Sequence, residues 1–316
     1  MKFPVFDLHC DTALALLGKN LRECGSLLKN QYHIDLERAA QFSGYAQCFA
    51  CFTSDEFPYG DVKPVELFER EMVSVLREVE KHNNSIRLAY NAVDIDTNKQ
   101  ENLASAILTI EGPAGFAYDP ELLEDLYTVG FRMTTLGWND KNPLVGSHAT
   151  GGGLTDLGVQ YIKEAQRLGM IVDVSHISDE GFYDIMNITT APIIASHSNC
   201  RKICDHTRNL TDDMFRQICQ SGGVAGINLY TEFLGKNADL NTVCDHVLHW
   251  LDLDPTGKHI ALGGDLDGCD SLPEGFSGVQ DYTNLADKLL ERGLSESMIL
   301  DIYWNNALEV FRKCCT

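Results

Sequence analysis

No apolar stretch in this chain comes near the roughly 18 residues that a membrane-spanning helix requires. Nucleotide fingerprints are missing as well: neither GxGxxG nor a P-loop occurs, which removes the commonest routes to binding a dinucleotide or a nucleoside triphosphate. Basic residues are scarce, 25 Lys and Arg against 46 Asp and Glu, giving a formal net charge of −21. A surface of that sign repels a phosphate backbone, so nucleic acid is not expected as a partner. The same field slows anionic substrates, so a carboxylate-bearing ligand needs a dedicated cation in its site. No Pro-, Gly- or Ser-rich linker, low-complexity tract or repeat divides the 316 residues, and the chain reads as one domain over 1–316.

Cysteine is plentiful at 11 residues, but the count is odd and the chain far longer than a stapled secreted domain. Free thiols in a reducing compartment are expected. The one CxxC, Cys48 to Cys51, lies among apolar residues with no second pair, so it is read as strand rather than as a metal or redox motif. Asp7 and His9 arrive before a signal-peptide apolar core could form, which predicts cytoplasmic residence and no membrane association. The sequence leaves a homodimer open.

Short apolar runs alternate with helical patterns and end in polar residues rather than hairpin turns, the signature of βα units. Eight strands are predicted: Pro4–Leu8, Tyr45–Phe49, Ala106–Ile110, Phe131–Thr135, Met170–Val174, Pro192–Ala195, Val224–Asn228 and Ile260–Leu262. Helices are predicted over Val65–Lys81, over Asp156–Leu168 ahead of Gly169, after an N-cap at Thr211, and over Tyr282–Arg292 and Ser295–Lys313. This order favours a closed parallel barrel, the (β/α)₈ or TIM-barrel type, over an open doubly wound sheet.

Residues suited to metals stand at the carboxyl ends of the predicted strands, where barrel enzymes build their sites. His9 and Asp11 form an HxD pair after the first strand, Glu111 ends the third, His176 follows the fifth, His197 the sixth and Asp265 the eighth. Imidazoles and carboxylates in this mixture suit zinc, with manganese, cobalt or iron as substitutes. Five ligands exceed the needs of one tetrahedral ion. Glu111 has two oxygens and can bridge two ions, with His9 and Asp11 on one and His176 and His197 on the other, around a shared water of lowered pKa. Asp265 is the candidate general base, returning the proton to the leaving group, and Asp267 the less favoured one. The DxDG at Asp265 also resembles the start of a calcium loop, but Cys269 stands where the next oxygen ligand belongs. His33, His82, His206, His249 and His259 are assigned no role.

Asp7-Leu-His-Cys-Asp-Thr12, Ile110-Glu-Gly112, Gly152-Gly-Leu-Thr-Asp-Leu-Gly158, Ile171-Val-Asp-Val-Ser-His176, Pro192-Ile-Ile-Ala-Ser-His-Ser-Asn199, Asp205-His-Thr-Arg-Asn-Leu210 and Gly263-Gly-Asp-Leu-Asp-Gly268 together resemble the membrane dipeptidase (renal dipeptidase) family, metallopeptidase family M19, of the amidohydrolase-like barrels. The resemblance implies two zinc ions bridged by Glu111 and hydrolysis of dipeptides, with a D residue tolerated on the C-terminal side. It implies that Arg208 holds the substrate carboxylate and that Tyr230 lines the site. The family's histidine after the fourth strand, set against the substrate carbonyl, is replaced here: the loop reads Leu136-Gly137-Trp138-Asn139-Asp140, with Trp138 at that position. Its role then falls to the metals, to Trp138, or to Asn139 or His148. Another binuclear amidohydrolase, acting on a cyclic amide, lactone or N-acyl substrate, is the alternative. No strand-end lysine is available for a carbamylated bridge. A non-enzymatic metal-holding protein would have lost the base or the carboxylate clamp, and both Asp265 and Arg208 are present.

Overall fold

The computed structural model describes residues 2–21, 25–58 and 60–316. Nine strands, all paired in parallel, are β1 Val5–Cys10, β2 Tyr45–Phe52, β3 Ile86–Leu88, β4 Ala104–Glu111, β5 Phe131–Thr135, β6 Ile171–Asp173, β7 Ile193–Ile194, β8 Ala225–Ile227 and β9 Ile260–Leu262. Their order is β7-β6-β5-β4-β2-β1-β9-β8, and the ring closes through the parallel bridge of Ala195 with Ala225, where Gly226 N donates to Ala195 O over 2.8 Å. Eight strands alternating with helices thus form a TIM-barrel-like fold, as the sequence predicts. β3 is the unpredicted ninth: it pairs with the start of β4, on the edge that β5 occupies from Leu108 onward.

The predicted helices form close to their expected limits. Pro64–Lys81 opens on a proline, which is pre-set for a first helical turn; Thr155 and Thr211 cap Asp156–Leu168 and Asp212–Ser221 through their side chains. Gly169 takes the left-handed C-cap, and Tyr282–Glu291 follows as expected. The predicted Ser295–Lys313 helix is instead Glu296–Leu300, a widened π-type turn over Asp301–Asn305, and Asn306–Cys314. Asn306 stands where that turn ends, its amide donating to the carbonyls of Gly257 and Ile260.

Side chains alternate along a strand, and the barrel interior is layered accordingly. Phe6, Ala46, Ile107, Met133, Ile171, Ile194, Val224 and Ala261, one from each ring strand or its first flanking residue, join an apolar cluster with Trp304 of the π-type turn and Leu308 and Phe311 of the C-terminal helix. That helix floors the barrel, its Phe311 ring 5.2 Å from Phe6. Two residues further along, the layer turns polar or small: Thr109, Thr135, Asp173, Ser196, Gly226 and Gly263. Only glycine fits at the last two, since a Cβ there would lie 1.9 and 1.7 Å from Ser196 O.

Candidate metal centre

One more step up the strands brings the titratable groups together. Glu111 continues the face of Ile107 and Thr109 on β4. Regular alternation would turn His9 away from the interior face of Phe6 and Leu8, but the β1–β2 register slips between Asp7 and Cys10, so that three residues of β1 span two of β2. This bulge turns His9 inward, a common use of bulges beside sites. Asp11 lies just past the strand, at the cap of the helix Thr12–Leu17, so the HxD pair is brought to one side by the bulge and turn rather than by simple alternation. His176 and Asp265 both adopt left-handed backbone, at φ 69° and 57°.

The resulting geometry divides around Glu111. Its Oε2 lies 3.4 Å from His9 Nε2, which is also 3.4 Å from Asp11 Oδ2 and 3.9 Å from Asp265 Oδ1. Its Oε1 lies 3.0 Å from His176 Nε2 and 3.7 Å from His197 Nε2. All six residues are buried. Asp267, the alternative base, is committed elsewhere: it accepts from Thr12 Oγ1 and from the backbone of His33, both over 2.6 Å.

A second ring of residues fixes the first, and sequence reading missed most of it. Asp7 accepts from the His9 and Gly264 amides and from the Tyr282 hydroxyl. Asp173 accepts from the Ser175 and Ser196 amides, from Thr135 Oγ1 over 2.7 Å and from Ser196 Oγ, which in turn meets His197 Nδ1 at 2.6 Å. Asn139 Oδ1 lies 2.9 Å from His176 Nδ1, leaving Nε2 of that ring to face Glu111. Such outer partners set the tautomer and direction of ligand imidazoles. Asn228 donates to Asp265 Oδ2 over 2.9 Å and accepts from the Tyr230 amide, joining base candidate and cavity wall. The one available signal was spacing: Asp7 and Asp173 stand two and three residues before His9 and His176.

Electrostatics fit a cationic occupant. Burial, then the positive charges of Arg208 and His9, hold His176 and His197 well below the ordinary histidine range, so each can offer a lone pair. Burial alone would also favour a neutral His9, but Glu111 and Asp11 outweigh it and raise that ring well above the ordinary range. Burial and the charges of Asp11 and Glu111 push Asp265 up to about 7 against the pull of His9 and Asn228. His9 Nε2 is buried with no hydrogen-bond partner. Three carboxylates crowded onto three imidazoles, with an orphaned ring nitrogen at their centre, make a donor set that a divalent ion would satisfy; His9, Glu111 and His197 lie close enough together to hold one ion, and so do His9, Asp11 and Asp265.

The centre opens into a cavity of about 550 Å³ lined by Phe52, Phe57, Trp138, His148, Tyr230 and Phe233 among others. Trp138 packs edge-on to Phe52 and Phe57, its ring 6.4 Å from His176. His148 spends both ring nitrogens, on Thr207 Oγ1 and Asn139 Oδ1. His206, given no role by the sequence, also lines the cavity, and its Nδ1 accepts from the Arg208 amide. Arg208 is buried behind this wall, with Nη1 on Ser198 Oγ at 2.7 Å and Nε and Nη2 unpartnered. Its guanidinium lies 5.6 Å from the Phe233 ring.

Solved structures share this architecture. A metallopeptidase from Rhodobacter sphaeroides, liganded with a phosphinate mimic of the dipeptide L-Ala-D-Ala, superposes with a TM-score of 0.88 at 23% identity, covering 99% of this chain and 100% of that one. The dipeptidase AC, a metallopeptidase of family M19, superposes with a TM-score of 0.89 at 23% identity over 100% of this chain and 99% of the other. Among curated sequences, two uncharacterized dipeptidases of Schizosaccharomyces pombe are 36% identical over 218 residues and 33% identical over 300. The first alignment covers 67% of this chain and 53% of its relative; the second covers 89% and 72%. The membrane dipeptidase (peptidase family M19) profile matches residues 1–316, so the residues gathered around Glu111 belong to a member of that hydrolase family.

Proposed function

We propose that this chain hydrolyses the peptide bond of dipeptides, L,L and L,D, using two zinc-type ions held by His9, Asp11, Glu111, His176 and His197. The observation carrying the reading is the division of Glu111, with one oxygen toward His9 and Asp11 and the other 3.0 Å from His176 Nε2. What the ions supply when bound is Lewis acidity, toward the attacking water and toward the scissile carbonyl.

The protein's own groups do the rest. Asp265, beside His9 and anchored by Asn228, takes a proton from water and returns it to the leaving amine. Arg208 holds the substrate's C-terminal carboxylate along its Nε–Nη2 edge, whose nitrogens are the unspent donors of the fork. Asn139 accepts at Oδ1 from both His176 and His148, which leaves its Nδ2 as the donor for the substrate carbonyl in place of the family's histidine. Trp138, Phe52 and Tyr230 provide apolar wall for the substrate side chains.

The testing experiment is elemental analysis of the purified protein combined with a panel of L,L and L,D dipeptides before and after chelation. At least two ions per chain and chelator-sensitive cleavage are expected. Two ions without dipeptide cleavage would overturn the substrate while keeping the centre, and would point to cyclic amides, lactones or N-acyl compounds.

A further inference from the structure

At the opposite end of the barrel, Cys219, Asp254 and His259 converge from three elements. Cys219 lies in the helix Asp212–Ser221, Asp254 caps the end of Leu240–Leu253, and His259 immediately precedes β9. A donor atom from each lies within 4.8 Å of the others, yet no hydrogen bond or ion pair joins them. His259 and Asp254 are instead oriented from outside the cluster. His259 Nδ1 meets Gly223 O at 2.7 Å, and since a carbonyl only accepts, Nδ1 carries the proton and Nε2 a lone pair. Asp254 Oδ1 accepts from the amide and hydroxyl of Thr256, at 3.1 and 2.6 Å, while its Oδ2 is buried with no partner. A buried carboxylate oxygen without a partner is costly unless a cation or donor meets it.

We propose that Cys219, Asp254 and His259 form a second metal site, separate from the centre at Glu111, for a borderline-soft divalent ion of the zinc type. A thiolate, an imidazole with its far nitrogen held by a carbonyl, and a carboxylate are three zinc ligands, leaving the fourth position to water. Sulfur and nitrogen donors disfavour magnesium and calcium, which take oxygen. Burial and the neighbouring Asp254 push the Cys219 thiol up to about 12, so the thiol proton leaves to solvent only as the ion binds. An ion there pins two helix ends to the first residue before β9 and acts as a staple beneath the barrel.

Cobalt reads this site selectively, because a thiolate ligand gives Co²⁺ a near-ultraviolet charge-transfer band that imidazole and carboxylate ligands do not. Co²⁺ added to the intact chain after dialysis against chelator should raise this band in the parent protein and in Glu111→Gln, but not in Cys219→Ser. Elemental analysis of zinc-loaded protein should find one ion fewer per chain in Cys219→Ser, with dipeptide cleavage unchanged. His259→Gln should weaken the band without removing a thiol. Absence of the band in the parent, or its persistence in Cys219→Ser, would overturn the site and leave the reading of the Glu111 centre untouched.

Discussion

The floor and the mouth of this barrel are built by the same eight strands, yet they obey opposite rules. At the floor, Phe6, Ile107, Met133 and Ile171 meet Trp304 and Phe311 in an apolar cluster that needs only shape and volume. Two steps up, the same barrel carries Thr109, Thr135, Asp173 and Ser196, and beyond these come three imidazoles and three carboxylates, with His176 and Asp265 in left-handed backbone. The apolar cluster lies at one end and the titratable groups at the other, and distance along each strand keeps them apart.

Substitutions can break this separation or sharpen it. Glu111→Gln has the largest expected effect: it takes the charge from the group between both imidazole sets, so turnover should vanish and metal content fall by two ions per chain while the fold persists, as read by elemental analysis and circular dichroism. Asp265→Asn should keep the ions and lower kcat by about 10²–10⁴-fold, the usual contribution of a positioned base. Full activity in that variant would remove Asp265 from its role. At the floor, Phe311→Ala should lower stability by about 3–5 kcal/mol in denaturant titrations while leaving kcat/KM of the folded fraction unchanged. Lost activity without lost stability would show that the two ends are not separable. Asn139→Ala, which frees the His176 ring, should weaken metal affinity by about 10–100-fold in competition with a chelating dye.

The candidate ligands were legible because each stands at or just past the carboxyl end of a predicted strand, and eight such ends in order also disclose the barrel. β3 was not, since Ile86-Arg-Leu88 puts a charged residue at its centre and offers no apolar run. The bulge that aims His9 was equally hidden: it is a relation between β1 and β2, and no single segment records a register slip. Asp7 and Asp173 read as ordinary acids until the folded chain surrounds them with amides and hydroxyls. Arg208, read as the carboxylate clamp from resemblance, lies off the cavity surface behind Phe233 and His206, which depends on how the loop after β7 packs.

The left-handed backbone at Asp265 carries a further consequence, a trade between endurance and activity. Non-glycine residues hold that conformation at an energetic cost, lowest for Asn and Asp, and this one also adds a third carboxylate to an already acidic cluster. Asparagine tolerates the same backbone and removes the repulsion. Asp265→Asn is therefore expected to melt at a higher temperature than its parent in chelator and, with its turnover slowed, to be the natural form in which to trap an uncleaved dipeptide.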